Sequence, residues 1–214
     1  ADGYGIHEHL IDRAEADGID TIVTCDNGIA AAAEIQTAKD KGMAVIVTDH
    51  HEIPYREENG ERKVILPPAD AILNPKQYDC PYPNKNLCGA VVAFKYITAL
   101  YECFDVPQKE LEDYYELVAI ATVGDVMDLQ GENRILVKEG LRRLKNTKNK
   151  GLQELIRANA LEDARITAYH IGFVLGPCIN ASGRLDTAAR SLALLNAQTK
   201  EEAAKLAGDL TALN

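Results

Sequence analysis

Residues Asp20 to His51 read DTIVTCDNGIAAAAEIQTAKDKGMAVIVTDHH, and this run decides the fold. Asp20-Thr-Ile-Val-Thr-Cys25 is a short β-branched stretch that suits a buried strand. Asp26-Asn27-Gly28 breaks it, and Ile29 to Lys41 is an alanine-rich helix closed by Gly42. Met43-Ala-Val-Ile-Val-Thr48 is a second strand, which runs straight into Asp49-His50-His51. Strand, helix and strand in this order predict a right-handed crossover within a parallel sheet.

Upstream, Ile6, Leu10, Ile11 and Ala14 share a helical stripe over residues 6–17, with Gly18 as the stop. Downstream, residues 52–68 are polar and rich in charge, Gly and Pro, and read as a surface loop. Ala69 to Leu73 is a third strand closed by Asn74-Pro75, and the proline-rich residues 75–86 read as irregular. From Gly89 the pattern is helical, with helices expected near 89–103, 109–129, 132–146, 151–159, 167–175 and 186–213, the last interrupted near Thr199. The expected fold class is α/β, a parallel sheet with flanking helices followed by an all-helical subregion. The corresponding division is 1–88 for the α/β layer, 89–198 for the helical part and 199–214 for the start of a connector helix.

The balance of 46% apolar and 26% charged residues is that of a globular protein, and no run approaches the ~18 apolar residues of a membrane span. Twenty-three Lys and Arg stand against 33 Asp and Glu, a net charge of −10, which argues against a whole-surface electrostatic grip on nucleic acid. Local basic patches and metal-bridged phosphate binding stay compatible with that charge. The five cysteines, odd in number and without a C-x-x-C pair, read as buried cytosolic thiols rather than a disulfide framework or zinc site. The opening segment has none of the regions of a signal peptide, so a cytoplasmic location is expected.

Ligands of open parallel sheets bind beyond the carboxyl ends of the strands. Asp26 ends the first strand of the run and Asp49, His50 and His51 end the second, so their side chains are expected to converge. Carboxylates and neutral imidazoles together suit Mn²⁺, and carboxylates alone suit Mg²⁺. The turn Asn27-Gly28 is expected to open a helix whose free N–H groups favour an anion. Asp26 taken alone reads first as a helix cap. His7, His9 and His170 have no such context and read as surface or packing residues.

Asp125 closes the apolar helical stretch Ala121-Thr-Val-Gly-Asp125, where a buried carboxylate needs a partner, either a metal ion or an arginine. Gly176-Pro177 reads as a helix end, followed by Asn180 and Arg184 around a stretch of small residues. Arg184 suits bidentate phosphate contact, and a plain turn between helices is the alternative. Lys138, Arg142, Arg143, Lys145, Lys148 and Lys150 form a basic tract interrupted by Glu139, either a solvated helix face or a surface for a nucleic-acid strand.

Taken in order, Thr24-Cys-Asp-Asn-Gly-Ile29, Thr48-Asp-His-His-Glu52, Thr122-Val-Gly-Asp-Val126, Gly131-Glu-Asn-Arg134 and Gly176 to Leu185 resemble the DHH phosphoesterase superfamily. Within it they resemble the bacterial branch of single-strand-specific DNA exonucleases, over nearly the whole chain. The resemblance implies two Mn²⁺ or Mg²⁺ ions, ~4 Å apart, that activate water and neutralise developing charge in phosphodiester hydrolysis. Asp26 would bridge both metals, with His50 and Asp125 as further ligands. Asp49 would support His50, and His51 would face the scissile phosphate. Asn180 and Arg184 would hold the substrate backbone, while Cys178 stands where the family often has Arg, so one phosphate contact is expected to be lost.

The implied substrate is single-stranded DNA, degraded 5′ to 3′ in repair and recombination, with replication or repair proteins as implied partners. Asp2-Gly3 does not reproduce the family's Asp-x-Asp first motif. The chain is therefore expected to be an incomplete catalytic core, weak or inactive alone, without that motif and the family's C-terminal domains. The rival readings are a phosphodiesterase for short RNA or cyclic dinucleotides, an inorganic pyrophosphatase, a non-catalytic DHH scaffold, and a plain α/β domain with coincidental motifs.

Overall fold

In chain order, the computed structural model begins with α1 (Glu8–Ala16), β1 (Thr21–Val23), α2 (Ala32–Asp40) and β2 (Ala44–Thr48). A hairpin of β3 (Tyr55–Glu58) and β4 (Glu61–Val64) follows, then β5 (Ala71–Leu73) and α3 (Gly89–Cys103). The structure describes residues 5–185 and 188–214, the side chains of 181–185 excepted, so Asp2 and Gly3 and the side chain of Arg184 lie outside the described residues.

Two compact units divide the chain, residues 1–108 and 109–214. In the first, β1, β2 and β5 form one parallel sheet in the order β1-β2-β5, with Val23 opposite Ile46 and Thr48 opposite Leu73. Ile11, Ile35, Ala38, Met43, Val45 and Val47, each at most 2% exposed, make the core between helices and sheet. Cover along β2 accounts for its unbroken apolar run, whereas β1, expected to be a buried strand, is largely exposed, with Val23 49% exposed. Asp70, just before β5, accepts from the Val45 N–H at 2.7 Å and from Lys39 Nζ at 2.7 Å, which ties α2 to the sheet.

Residues 52–68 are not simply a loop, because β3 and β4 pair as an antiparallel hairpin with Glu58 opposite Glu61. Its strands lack apolar alternation, being exposed on nearly every residue. The turn carries the pairing instead: Asn59 (φ 55°) and Gly60 (φ 82°) both take the left-handed conformation of a two-residue turn matched to strand twist. The Arg62 guanidinium lies 4.5 Å from the centre of the Tyr55 ring.

The second unit is helical. A 3₁₀ turn (Gln108–Tyr114) leads into α4 (Tyr115–Gly124), α5 (Gly131–Leu144) and α6 (Lys150–Ala158). Then come α7 (Ala168–His170), a π-helical turn (Ile171–Leu175), α8 (Gly176–Leu185), α9 (Ala189–Leu195) and α10 (Lys200–Leu213). Ala119, Leu155, Ile171, Leu175, Cys178, Leu194 and Leu210 have no exposure and form its centre. Thr199 caps α10 by accepting from the Glu202 N–H at 3.1 Å, which is why the last helical stretch breaks there.

Two expectations about this unit change. The helix expected over 109–129 is a 3₁₀ turn and a helix that stops at Gly124. Val126 is left-handed (φ 56°), and the N–H groups of Val126 and Met127 bond back to the carbonyls of Val123 and Thr122 at 3.1 Å, a closed helix end. Gly176-Pro177 does not end a helix. A π turn precedes it, and the position of a Cβ on Gly176 would lie 2.7 Å from the Ile171 carbonyl oxygen, so a glycine is required there. The thiols also differ from the all-buried expectation: Cys88 and Cys178 are buried, and Cys25 and Cys103 are exposed.

Candidate metal centre

The carboxyl ends of the three parallel strands are extended by hydrogen bonds beyond the strands themselves. The Asp26 N–H reaches the Thr48 carbonyl at 3.0 Å, and the Asp49 N–H reaches that of Leu73 at 3.0 Å. Thr24 and Thr48 lock the two ends: the Thr48 hydroxyl donates to the Thr24 carbonyl at 2.6 Å, and the Thr24 hydroxyl accepts from the Thr48 N–H at 3.1 Å. Asn74, 2% exposed at the end of β5, donates to the His51 carbonyl at 3.0 Å. These anchors hold the Asp-His-His turn rigidly, as a functional constellation requires.

Asp26 takes a left-handed conformation (φ 63°) that turns its carboxylate out of the strand direction. It does not cap α2, which starts six residues later behind Ala31 with no side-chain cap, so the Asn27-Gly28 turn does not open that helix either. The side chain of Asp26 instead lies against Gly89, the first residue of α3: a Cβ there would meet Asp26 Oδ1 at 2.3 Å and Cγ at 2.5 Å. It thus sits at the N-terminal end of that helix.

His50 Nε2 stands 3.0 Å from Asp26 Oδ1, with its side chain 9% exposed. The His51 ring packs tilted against it, centroids 4.6 Å apart, and is 59% exposed. One donor atom from each of Asp26, His50 and His51 lies within 4.8 Å of the other two.

Asp49 is the buried organiser of this cluster. Its Oδ1 accepts from His51 Nδ1 at 2.7 Å and from the N–H groups of His50 and His51 at 2.7 and 3.2 Å, while Oδ2 accepts from the Ile29 N–H at 2.9 Å. Burial pushes its carboxyl up, but the Ile29 N–H, the His51 ring and the two histidine N–H groups outweigh burial and hold it below the usual carboxylate range. An ionised Asp49 can only accept, so Nδ1 of His51 carries a proton toward it and Nε2 is left for other partners. The carboxylate thus orients the ring of His51, whereas the resemblance assigns its support to His50.

The donor set fits a hard or borderline divalent cation, with one carboxylate and two imidazoles, one of them carboxylate-backed. Loss of solvent first, and then the negative charges of Asp26 and Asp49 with Cys88, push the Cys25 thiol up.

Asp125, Asn180 and Arg184 belong to the second unit. Asp125 is the exposed C-cap of α4, its N–H donating to Ala121 at 2.8 Å, so burial does not force a partner on it. Asn180 is exposed on α8, and Cys178 of the same helix is buried. Sequence reasoning does not single out Thr24, Thr48, Asn74 or Gly89 as site residues. The signal for the first three is a polar side chain at the end of an apolar strand.

Comparison with known proteins agrees with this geometry. The chain is 40% identical to the single-stranded-DNA-specific exonuclease RecJ of Salmonella typhimurium over 100% of its length and 37% of the relative's. It is 38% identical to that of Bacillus subtilis over 100% of its length and 25% of the relative's. The chain thus spans well under half of these curated relatives. A crystal structure of exonuclease RecJ bound to manganese superposes with a TM-score of 0.82 at 33% identity, covering 98% of this chain and 50% of that one. RecJ of Thermus thermophilus in complex with Mn²⁺ gives 0.80 at 33% identity, covering 97% and 29%. The sequence profile of the DHH family, N-terminal domain, matches residues 3–122, more than half of the chain. The protein is a member of the DHH family.

Proposed function

We propose that this chain is catalytic-core sequence of a Mn²⁺- or Mg²⁺-dependent exonuclease that hydrolyses single-stranded DNA, 5′ to 3′, in the cytoplasm during repair and recombination. The observation that carries this reading is the Asp26–His50–His51 cluster at the ends of the parallel strands, with Asp49 behind His51. The likeness to single-stranded-DNA-specific exonucleases over the full chain supports the substrate class.

Asp26 and His50 are assigned as cation ligands. Asp125 joins them on the resemblance of its segment, as Asn180 and Arg184 do for contacts to the substrate backbone. A bound cation pair supplies Lewis acidity and local positive charge, which reconciles an acidic protein with a polyanionic substrate. His51, the solvent-facing imidazole, is assigned to the scissile phosphate. Held by Asp49 through Nδ1, the ring takes up a proton from solvent at Nε2, and the imidazolium so formed stabilises charge on a phosphate oxygen or delivers that proton to the leaving oxygen.

The test uses the full-length protein. Mn²⁺ binding by calorimetry and release of nucleotides from labelled single-stranded DNA are measured for the wild type, Asp26→Asn and His50→Ala. Loss of both in the variants supports the reading. Absence of Mn²⁺ binding by the wild type selects the scaffold alternative, and preference for short RNA or cyclic dinucleotides selects the other phosphodiesterases.

A further inference from the structure

The proposed centre leaves unused a basic face in the second unit. Along α5, Arg134, Lys138, Arg142 and Lys145 are all exposed and fall on one stripe at spacings of four, four and three. At 1.5 Å per residue the stripe is about 16 Å long. It forms one wall of a groove of about 1190 Å³ whose other wall is residues 162–168, with Arg165 adding a fifth cation and Ile135 and Ile166 among its apolar lining. Three acids also line it, Glu139, Glu162 and Asp163. Glu139 is engaged by Arg142 at 2.6 Å and Arg143 at 2.7 Å, and Glu162 lies 3.3 Å from Arg157, outside the groove lining.

The wall formed by 162–168 runs directly into Tyr169 and Phe173. Their rings stack on each other, centroids 4.9 Å apart at 29°, yet remain 63% and 71% exposed. Burial of large aromatic rings is a main source of folding energy, so an exposed stacked pair is costly unless something covers it. The pair spans the start of the π-helical turn, a feature frequent at functional sites. A Cβ placed on Gly172 of the same turn would lie 3.5 Å from Val123 of α4, two residues before Asp125.

A cationic groove to follow a phosphate backbone and aromatic faces to receive bases are the two parts of a single-strand binding track. We propose that the α5 stripe, Arg165 and the Tyr169–Phe173 pair form such a track for single-stranded DNA, apart from the Asn180–Arg184 segment. The inference rests on the exonuclease reading and deepens it by naming what grips the strand. The charge argues for this occupant: with Arg142 engaged by Glu139 and Glu162 by Arg157, the four cations Arg134, Lys138, Lys145 and Arg165 remain against Asp163.

The experiment measures binding of the full-length protein to a fluorescein-labelled oligo-dT in EDTA, by anisotropy over a range of salt. Replacing Arg134, Lys138 and Lys145 with Ala should reduce the slope of log K against log[salt] by about 2, at ~0.7 per phosphate contact. Tyr169→Leu with Phe173→Leu keeps apolar bulk and removes the π-faces. It should weaken oligo-dT by roughly fivefold or more and leave an oligomer of abasic residues unchanged. Unchanged slope and equal effects on dT and abasic strands overturn the track, including the alternative that the groove takes an acidic peptide. If the wild type neither binds nor degrades single-stranded DNA, the exonuclease reading falls with it. If the wild type does both and the variants match it, the track alone falls.

Discussion

Gly89→Ala tests the candidate centre through a residue that makes no polar contact in it. The added methyl would sit 2.3 Å from Asp26 Oδ1 and 2.4 Å from Asp26 Cβ, where ordinary contact begins at 3.4 Å. Turning the half-exposed Asp26 side chain moves Oδ1 but not Cβ, so the Asp26 backbone or the first turn of α3 must shift as well. The Asp26 carboxylate must retreat by roughly 1 Å, several times the ~0.2 Å tolerance of a metal–ligand distance. The expected outcome is a lowered thermal midpoint together with an Mn²⁺ affinity lower by on the order of 10- to 100-fold at temperatures where the variant is folded. Calorimetric Mn²⁺ titration beside thermal denaturation of the full-length protein reads both. Wild-type Mn²⁺ affinity in a folded Gly89→Ala protein would refute the reasoning, and so would a loss of affinity that only tracks a loss of fold.

Asp49→Asn leaves one acceptor oxygen where four donors converge, so the amide N–H₂ faces an N–H group and the His51 ring loses its fixed tautomer. Hydrolysis is expected to fall by about 10- to 100-fold with Mn²⁺ binding less affected, and equal losses of both would refute the assignment. Asn74→Ala removes the donor to the His51 carbonyl and the acceptor for the Lys76 N–H, costing about 1–3 kcal/mol in chemical denaturation and slowing hydrolysis. An active, fully stable variant would show that the anchor is dispensable. In the second unit, burial pushes the Glu116 carboxyl above its ordinary 4.5, only partly offset by the Thr147 hydroxyl. The native chain therefore holds that proton more tightly than the unfolded one, and stability falls as pH rises from 4.5 through the folded value. Glu116→Gln, with no proton to lose, should gain in melting temperature relative to wild type over that rise, and a gap constant with pH would contradict the shift.

How much of the molecule is legible in its sequence differs by element. β2 can be read from Ala44–Thr48, because burial selects a β-branched run independently of what lies far away, whereas β1 at Thr21–Val23 is largely exposed and is legible from β propensity alone. Asp26 and Asp49-His50-His51 can be read as converging because parallel strands must end on the same side. The β3–β4 hairpin is hidden from a search for apolar alternation, since its strands are exposed and only the Asn59-Gly60 turn announces it. Asp125 reads as a buried carboxylate needing a partner, but the helix stops one residue earlier and leaves it exposed.

The amino-acid sequence by itself determined the α/β class, the parallel order of strand, helix and strand, and the chemical types gathered at the strand ends. Tertiary structure alone decided that Asp49 orients His51, that Gly89, 63 positions along the chain, makes room for Asp26, and that Tyr169 and Phe173 lie stacked in the open. The physical reason is one of range. Periodicity and propensity act within a turn or a strand and are written in neighbouring residues, whereas which donor meets which carboxylate, and which ring stays uncovered, depends on segments brought together only when the chain has folded.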